Sequence, residues 1–267
     1  MDETVKYLGS DTEQQALLRE QGFRPMYFSQ KTNMFNVYFV KRGWAWVSLV
    51  IFAFASTYPD MSNGQRARAL LRWGANTLWW FLVTQWFFGA PIIDRGFRWT
   101  GGKCELAQME VEQGVATTKD LFTAAACKSS GGKWYGGHDI SGHVFLLTLG
   151  SAMIMSELGW VMARWSAKVP EERTVITVHG ETKSVSDVAE TPIGLGRNMD
   201  VWRTSGKFGA VVVGLNFWMM LMTAMYFHTW FEKTTGLVTA YIGIYAIYIA
   251  PRYVPILRSI IGIPGVL

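Results

Sequence analysis

The chain has 267 residues, half of them hydrophobic, with 25 Lys and Arg against 20 Asp and Glu for a formal charge of +5, and it holds two cysteines and four histidines. No nucleic-acid motif accompanies the positive charge. The basic residues flank apolar runs, which is the habit of a membrane protein and not of a nucleic-acid binder.

The first 33 residues contain no apolar run and are polar from Asp2 to Lys31, so no cleavable signal peptide is expected and the first span must act as the insertion signal. A bilayer crossing needs roughly 17 to 25 mostly apolar residues. Stretches of that kind follow at 43–59, 73–93, 144–163, 208–227 and 234–250. The run from Phe208 to Phe227 is apolar all round, unlike the striped helices of a soluble core. The last stretch, Tyr253 to Leu267, is apolar but interrupted by Pro255, Arg258 and Pro264, and reads as a tilted sixth span, a half-span or an interfacial helix. The expected fold is an all-α polytopic helical bundle of five or six spans forming a single membrane domain over 1–267. Its 1–42 segment is polar, and loops lie at 94–140 and 164–207.

Basic residues near the span ends orient the bundle. Arg66, Arg68 and Arg72 occupy the first link. Arg164, Lys168, Arg173, Arg197, Arg203 and Lys207 occupy the 164–207 link, and Arg252 and Arg258 the tail. They outnumber Lys31, Lys41, Arg42, Arg95, Arg98, Lys103, Lys133 and Lys233 on the other side, which places 164–207 in the cytosol and 94–140 in a lumen. Cys104 and Cys127 both fall in the lumenal loop. An oxidising compartment permits a disulfide there, and closing such a loop stabilises by about 3 kcal/mol in the chain-entropy model. Two free thiols are the alternative.

The same loop runs through a glycine-rich segment into Asp139-Ile-Ser-Gly-His143. Ser141 is a natural N-cap, and a helix N-terminus offers unpaired N–H groups and partial positive charge to a phosphate. Ser141 and Gly142 are therefore candidate substrate-binding residues. The plainer alternative is that they only start a helix and that His143 is an interfacial side chain.

His143 opens one apolar run and His228 closes the next, so a chain that crosses after the first and returns before the second puts both imidazoles on one membrane face. With ordinary titration near pH 6.5, one ring can attack phosphorus while the other protonates the leaving group. Glu232 could orient His228 if the helix continues, or could pair with Lys233.

Glu157 lies about 20 Å deeper than His143 on a straight helix. An intramembrane carboxylate needs a partner, and at that depth it reads as a packing or gating contact. His138, Asp139, His143 and His228 could in principle ligate a metal, but no HExxH-like or multi-histidine helical pattern supports it, and neither metal nor cofactor is expected. His179 reads as exposed in the cytosolic link, and the run from Met219 to Met225 as lipid-facing or core packing.

Three segments carry a family resemblance: Asn36-Val-Tyr-Phe-Val-Lys41 with Trp44-Ala-Trp46, Gly137-His-Asp-Ile-Ser-Gly-His143-Val-Phe-Leu-Leu147, and Tyr226-Phe-His228. From about Lys31 to about Ala250 the chain resembles the fat storage-inducing transmembrane proteins of the endoplasmic reticulum, which are related to the lipid phosphate phosphatases through the Ser-Gly-His element. The resemblance implies an acyl-CoA diphosphatase, which cleaves fatty acyl-CoA to acyl 4'-phosphopantetheine and adenosine 3',5'-bisphosphate and supports lipid droplet formation and membrane architecture. It implies His228 as nucleophile and His143 as general acid, facing the lumen. Fatty acyl-CoA and membrane lipids, neutral lipids included, are the implied partners.

The match has departures. The wider superfamily holds its phosphate with an upstream Lys and Arg motif and an arginine shortly before the nucleophilic histidine, whereas Leu221 to Phe227 contains no basic residue. Phosphate charge then falls to the helix start at Ser141 to His143, or to Lys41, Arg42, Lys133 or Lys233. Glu232 stands where the superfamily has Asp. Animal relatives carry a further hydrophobic segment before the Asn-Val-Tyr-Phe element; its absence here implies a lumenal N-terminus or a shortened form. Two other functions fit the residues: a phosphatase acting on phosphatidic or lysophosphatidic acid through the same histidines, and a non-enzymatic binder of neutral lipid in droplet budding.

Overall fold

The computed structural model describes residues 26–58, 61–85, 91–104, 123–129, 134–135, 140–166, 174–176, 182–184 and 198–264. A π-helical segment, Phe35–Val40, leads into α1, Gly43–Thr57. α2, Asn63–Thr84, begins earlier than the apolar run at 73–93 suggests. Its start is a capping box: Ser62 Oγ accepts from the Gln65 amide and Gln65 Oε1 accepts from the Ser62 amide. The helix stops at Thr84, and a separate helix, α3 (Ile92–Trp99), starts behind Pro91, so the 73–93 run is not one helix.

In the next loop, β1 (Lys103–Cys104) pairs antiparallel with β2 (Trp134–Tyr135), with α4 (Ala124–Ser129) between them in sequence. Cys104 and Cys127 form the expected disulfide, and both are buried. α5 spans Gly142–Ser166, and the link beyond it holds a short antiparallel pair, β3 (Thr174–Ile176) and β4 (Thr182–Ser184). α6, Asn198–Tyr226, returns, and α7, Trp230–Ile244, runs on through the π-turn Tyr245–Ile249 into α8, Ala250–Tyr253. α9, Pro255–Ile261, ends at Gly262, whose φ of 65° is open to glycine. Its seven residues rise about 10 Å, a third of the hydrocarbon thickness, too short for this helix to cross by itself. Among the described residues three helical stretches are long and apolar enough to span: Gly142–Gly159, Thr204–Tyr226 and Trp230–Tyr253, with Gly43–Thr57 a shorter apolar helix. The molecule is a helical membrane protein.

α5 is the axis of the bundle. It packs against α1, α6 and α7, and Phe145, Leu147, Leu149 and Met153 on it are wholly buried. Phe217, Trp218 and Leu221 of α6 face outward, while Met219 and Met222 turn inward and Met225 outward, so the methionine run serves both roles. α7 approaches its neighbours through small residues, as packing between membrane helices favours. A Cβ on Gly236 would sit 2.6 Å from the Ser141 carbonyl oxygen, and one on Gly243 would sit 2.4 Å from the Trp79 ring. Because backbone cannot yield as a side chain can, Gly236→Ala is expected to destabilise by about 1–3 kcal/mol, seen as a lowered melting temperature of the detergent-solubilised protein.

The deep charged residues are paired. Arg72 donates to Glu157 through Nε and Nη2, both at 2.6 Å, and its Nη1 donates to the Ile261 carbonyl at 2.7 Å. Tyr248 donates its hydroxyl to Glu157 Oε1 at 3.2 Å and accepts from Asn76 Nδ2 at 3.3 Å. Glu157 thus has its partner, and Arg72, read above as a span-flanking cation, is that buried partner, 4% exposed.

Candidate active site

Ser141 starts α5. Its Oγ accepts from the Val144 amide at 3.4 Å, its carbonyl accepts from the Phe145 amide at 3.0 Å, and its own N–H donates to the Glu232 carbonyl at 3.1 Å. The first turns of α5 and α7 are therefore bonded to each other, with Gly236 giving Ser141 the room to approach. Ser141 is wholly buried, and Gly142 is half-buried beside Ile93.

α6 ends at Tyr226, and the chain reverses through Phe227 and His228 before Thr229 caps α7. His228 takes φ 59°, the only positive value at a non-glycine residue among those described. Histidine tolerates this left-handed region better than most residues, and such conformations concentrate at functional sites. The reversal brings its ring to 6.4 Å from the His143 ring, centroid to centroid, at a tilt of 50°. The two histidines predicted to share a membrane face do meet. Phe227 lies parallel to the His143 ring at 6.5 Å, completing an aromatic wall.

A second capping box holds this turn. Thr229 Oγ1 accepts from the Glu232 amide at 3.3 Å, and Glu232 Oε2 accepts from the Thr229 amide at 2.7 Å. The same Oε2 stands 3.4 Å from His228 Nδ1. The carboxylate that starts α7 therefore also faces the histidine, which favours the orienting role for Glu232. Lys233, its alternative partner, sends Nζ to the Ala224 carbonyl at 2.7 Å and lies over the Trp230 ring. With Nδ1 turned to the Glu232 carboxylate, Nε2 is the ring nitrogen of His228 on the far side from it.

His143 is held from a third element. Its Nε2 lies 2.8 Å from Asn36 Oδ1, on the π-helical segment. Asn36 is 5% exposed; its Nδ2 donates to the Lys31 carbonyl at 2.7 Å and its amide N–H to Asn33 Oδ1 at 2.8 Å. Sequence reading missed this residue, since nothing in the spacing of an asparagine and a histidine so far apart along the chain signals a bond. Single-turn π segments nevertheless often mark functional positions. Lys31 and Lys41, near either end of the segment, are exposed. Arg42 lies over the Tyr38 ring. Lys133, His138, Asp139 and His179 lie outside the described residues, and among the described ones no three His, Cys, Asp or Glu side chains cluster as metal ligands.

The two imidazoles lie 6.4 Å apart, each with a polar side chain beside one ring nitrogen. Fold and site together define a polytopic helical membrane protein with a histidine pair at one end of its bundle. The model of the fat storage-inducing transmembrane protein family matches residues 24–248, and the chain belongs to that family. It is 32% identical over 237 residues to acyl-coenzyme A diphosphatase fit1 of Schizosaccharomyces pombe, covering 88% of this chain and 78% of that one. It is 28% identical over 237 residues to acyl-coenzyme A diphosphatase FITM2 of Bos taurus, covering 87% and 76%. To the protein of that name in Mus musculus it is 28% identical over 225 residues, covering 83% and 71%. No solved structure matches the chain.

Proposed function

We propose that this protein hydrolyses the diphosphate bond of fatty acyl-CoA, giving acyl 4'-phosphopantetheine and adenosine 3',5'-bisphosphate, at the lumenal face of the endoplasmic reticulum membrane. The observation that carries the proposal is the His143–His228 pair, with Glu232 behind one ring and Asn36 behind the other. His228 Nε2 attacks phosphorus, and His143 protonates the departing oxygen. Water then cleaves the phosphohistidine. The first turn of α5 faces the phosphates with the backbone N–H groups of Gly142 and His143, because the Ser141 N–H is bonded to the Glu232 carbonyl and its hydroxyl is engaged in the cap. Lys31 and Lys41 add positive charge.

The bundle crosses the membrane five times in this reading, with α1, α2, α5, α6 and α7 as spans, 94–140 lumenal and 164–207 cytosolic. The Cys104–Cys127 disulfide supports the lumenal assignment. The acyl chain lies between spans, where outward apolar side chains of α6 meet lipid, and the activity serves lipid droplet formation.

The test is release of adenosine 3',5'-bisphosphate from oleoyl-CoA by the detergent-purified protein, with phosphatidic and lysophosphatidic acid as parallel substrates. Cleavage of oleoyl-CoA in preference to the monoesters is the expected result. Faster phosphate release from the monoesters would replace the proposal with a lipid phosphate phosphatase, and turnover of none of them would leave neutral-lipid binding.

A further inference from the structure

We infer that Asn36 is a positioning residue that holds a proton on His143 Nε2, and so makes His143 Nδ1 the nitrogen that delivers and recovers the catalytic proton. The chemistry rests on the diphosphatase reading above; the geometry does not.

The orientation of the Asn36 amide follows from its two partners. Its Nδ2 donates to the Lys31 carbonyl at 2.7 Å, so the atom turned to His143 is Oδ1, which only accepts. The imidazole must then donate from Nε2. This holds for the neutral ring and for the imidazolium alike, so the proton that comes and goes is the one on Nδ1. Three further features keep the arrangement in place. Asn36 is nearly inaccessible, its backbone N–H is bonded to Asn33 Oδ1, and its carbonyl accepts from the Lys41 amide in the i+5 pattern of the π-helix at 2.9 Å.

The reaction balances with this assignment. The lone pair of His228 Nε2 forms the N–P bond, the P–O bond to the leaving group breaks with its electron pair on oxygen, and that oxygen takes the proton from His143 Nδ1. A water then attacks phosphorus and gives a proton back to Nδ1, and the N–P electrons return to His228. Throughout, the Nε2–H of His143 stays on Asn36 Oδ1. Asn36 thus holds the tautomer of the general acid, as a carboxylate or carbonyl does for other catalytic histidines.

Two readouts test the inference. With labelled histidine nitrogens in detergent micelles, assigned by substituting His138, His179 and His228 in turn, the neutral His143 ring should give the Nε2–H tautomer in the unmodified protein. Asn36→Ala should give a tautomer mixture, while Asn36→Asp, which keeps the Oδ1 acceptor, should keep Nε2 protonated. In turnover of oleoyl-CoA, Asn36→Ala should lower kcat by about tenfold to a hundredfold, with KM changed less than about twofold, as expected for loss of an interaction used in the transition state. An unchanged Nε2–H tautomer in folded Asn36→Ala, or a loss confined to KM, overturns the inference. If the unmodified protein leaves oleoyl-CoA intact while the tautomer responds to Asn36 as described, the diphosphatase reading falls and the positioning role stands.

Discussion

His228→Ala is expected to lower the release of adenosine 3',5'-bisphosphate from oleoyl-CoA by about ten-thousandfold or more, the range seen when a covalent nucleophile is deleted. The turn at Phe227 and His228 lies between two helices, and its left-handed backbone sets the imidazole 6.4 Å from that of His143. His143→Ala should lower the rate less, by roughly a hundredfold to ten-thousandfold, because solvent can protonate a phosphate leaving group slowly. The double substitution should be no worse than His228→Ala alone, since residues that act as a unit do not add. Glu232→Gln is the informative third variant. A glutamine oxygen still accepts from the Thr229 amide and keeps the α7 cap, but the charge facing His228 Nδ1 is gone. Its rate should fall by at least about tenfold with the fold intact, because the ring loses the anion that stabilises its proton on Nδ1. Wild-type turnover by a folded His228→Ala protein would overturn the assignment of the nucleophile.

The histidine pair was legible in sequence because it depends on connectivity. A helix that begins with His143 and a partner that ends at His228 leave the two residues at one end, whatever the details of packing. The Thr229–Glu232 capping box, which sequence reading missed, explains why α7 starts at Trp230 instead of the hydropathic boundary at 234. Also missed were partners set by tertiary packing. Asn36 reaches His143 because the π-helical segment, packed on α1 and α6, brings its side chain to the start of α5, and neither hydropathy nor period announces that. Arg72 misled for a related reason. A basic residue just before an apolar run is usually a headgroup anchor, and only the approach of α5 reveals it as the counter-ion that Glu157 required. Hydropathy also set the start of α2 too late, since it scores Arg66 and Arg72 against a helix. Arg66 in fact bonds the carbonyls of Ala55 and Tyr58 at the end of α1, and Arg72 pairs with Glu157.

That pair should dominate the stability of the bundle. Arg72→Met or Glu157→Leu alone is expected to destabilise by about 3–5 kcal/mol, the usual consequence of leaving one charge of a buried pair uncompensated. Arg72→Met also strands the Ile261 carbonyl at the end of α9, whereas Glu157→Leu removes the acceptor of the Tyr248 hydroxyl. The Arg72→Met, Glu157→Leu double variant removes both charges together. It should recover most of the loss, since a buried ion pair replaced by apolar side chains is often neutral or better. Thermal unfolding of the four proteins in one detergent, followed by helical circular dichroism, gives the cycle directly. Additive single and double effects would mean that each residue acts through other contacts, and the pair would not be the fastening. Activity discriminates further. Glu157 sits about 20 Å along α5 from His143, so a folded double variant should cleave oleoyl-CoA at nearly the unmodified rate. Loss of turnover without loss of stability would instead make the Arg72–Glu157 pair part of the path by which the two ends of the bundle communicate.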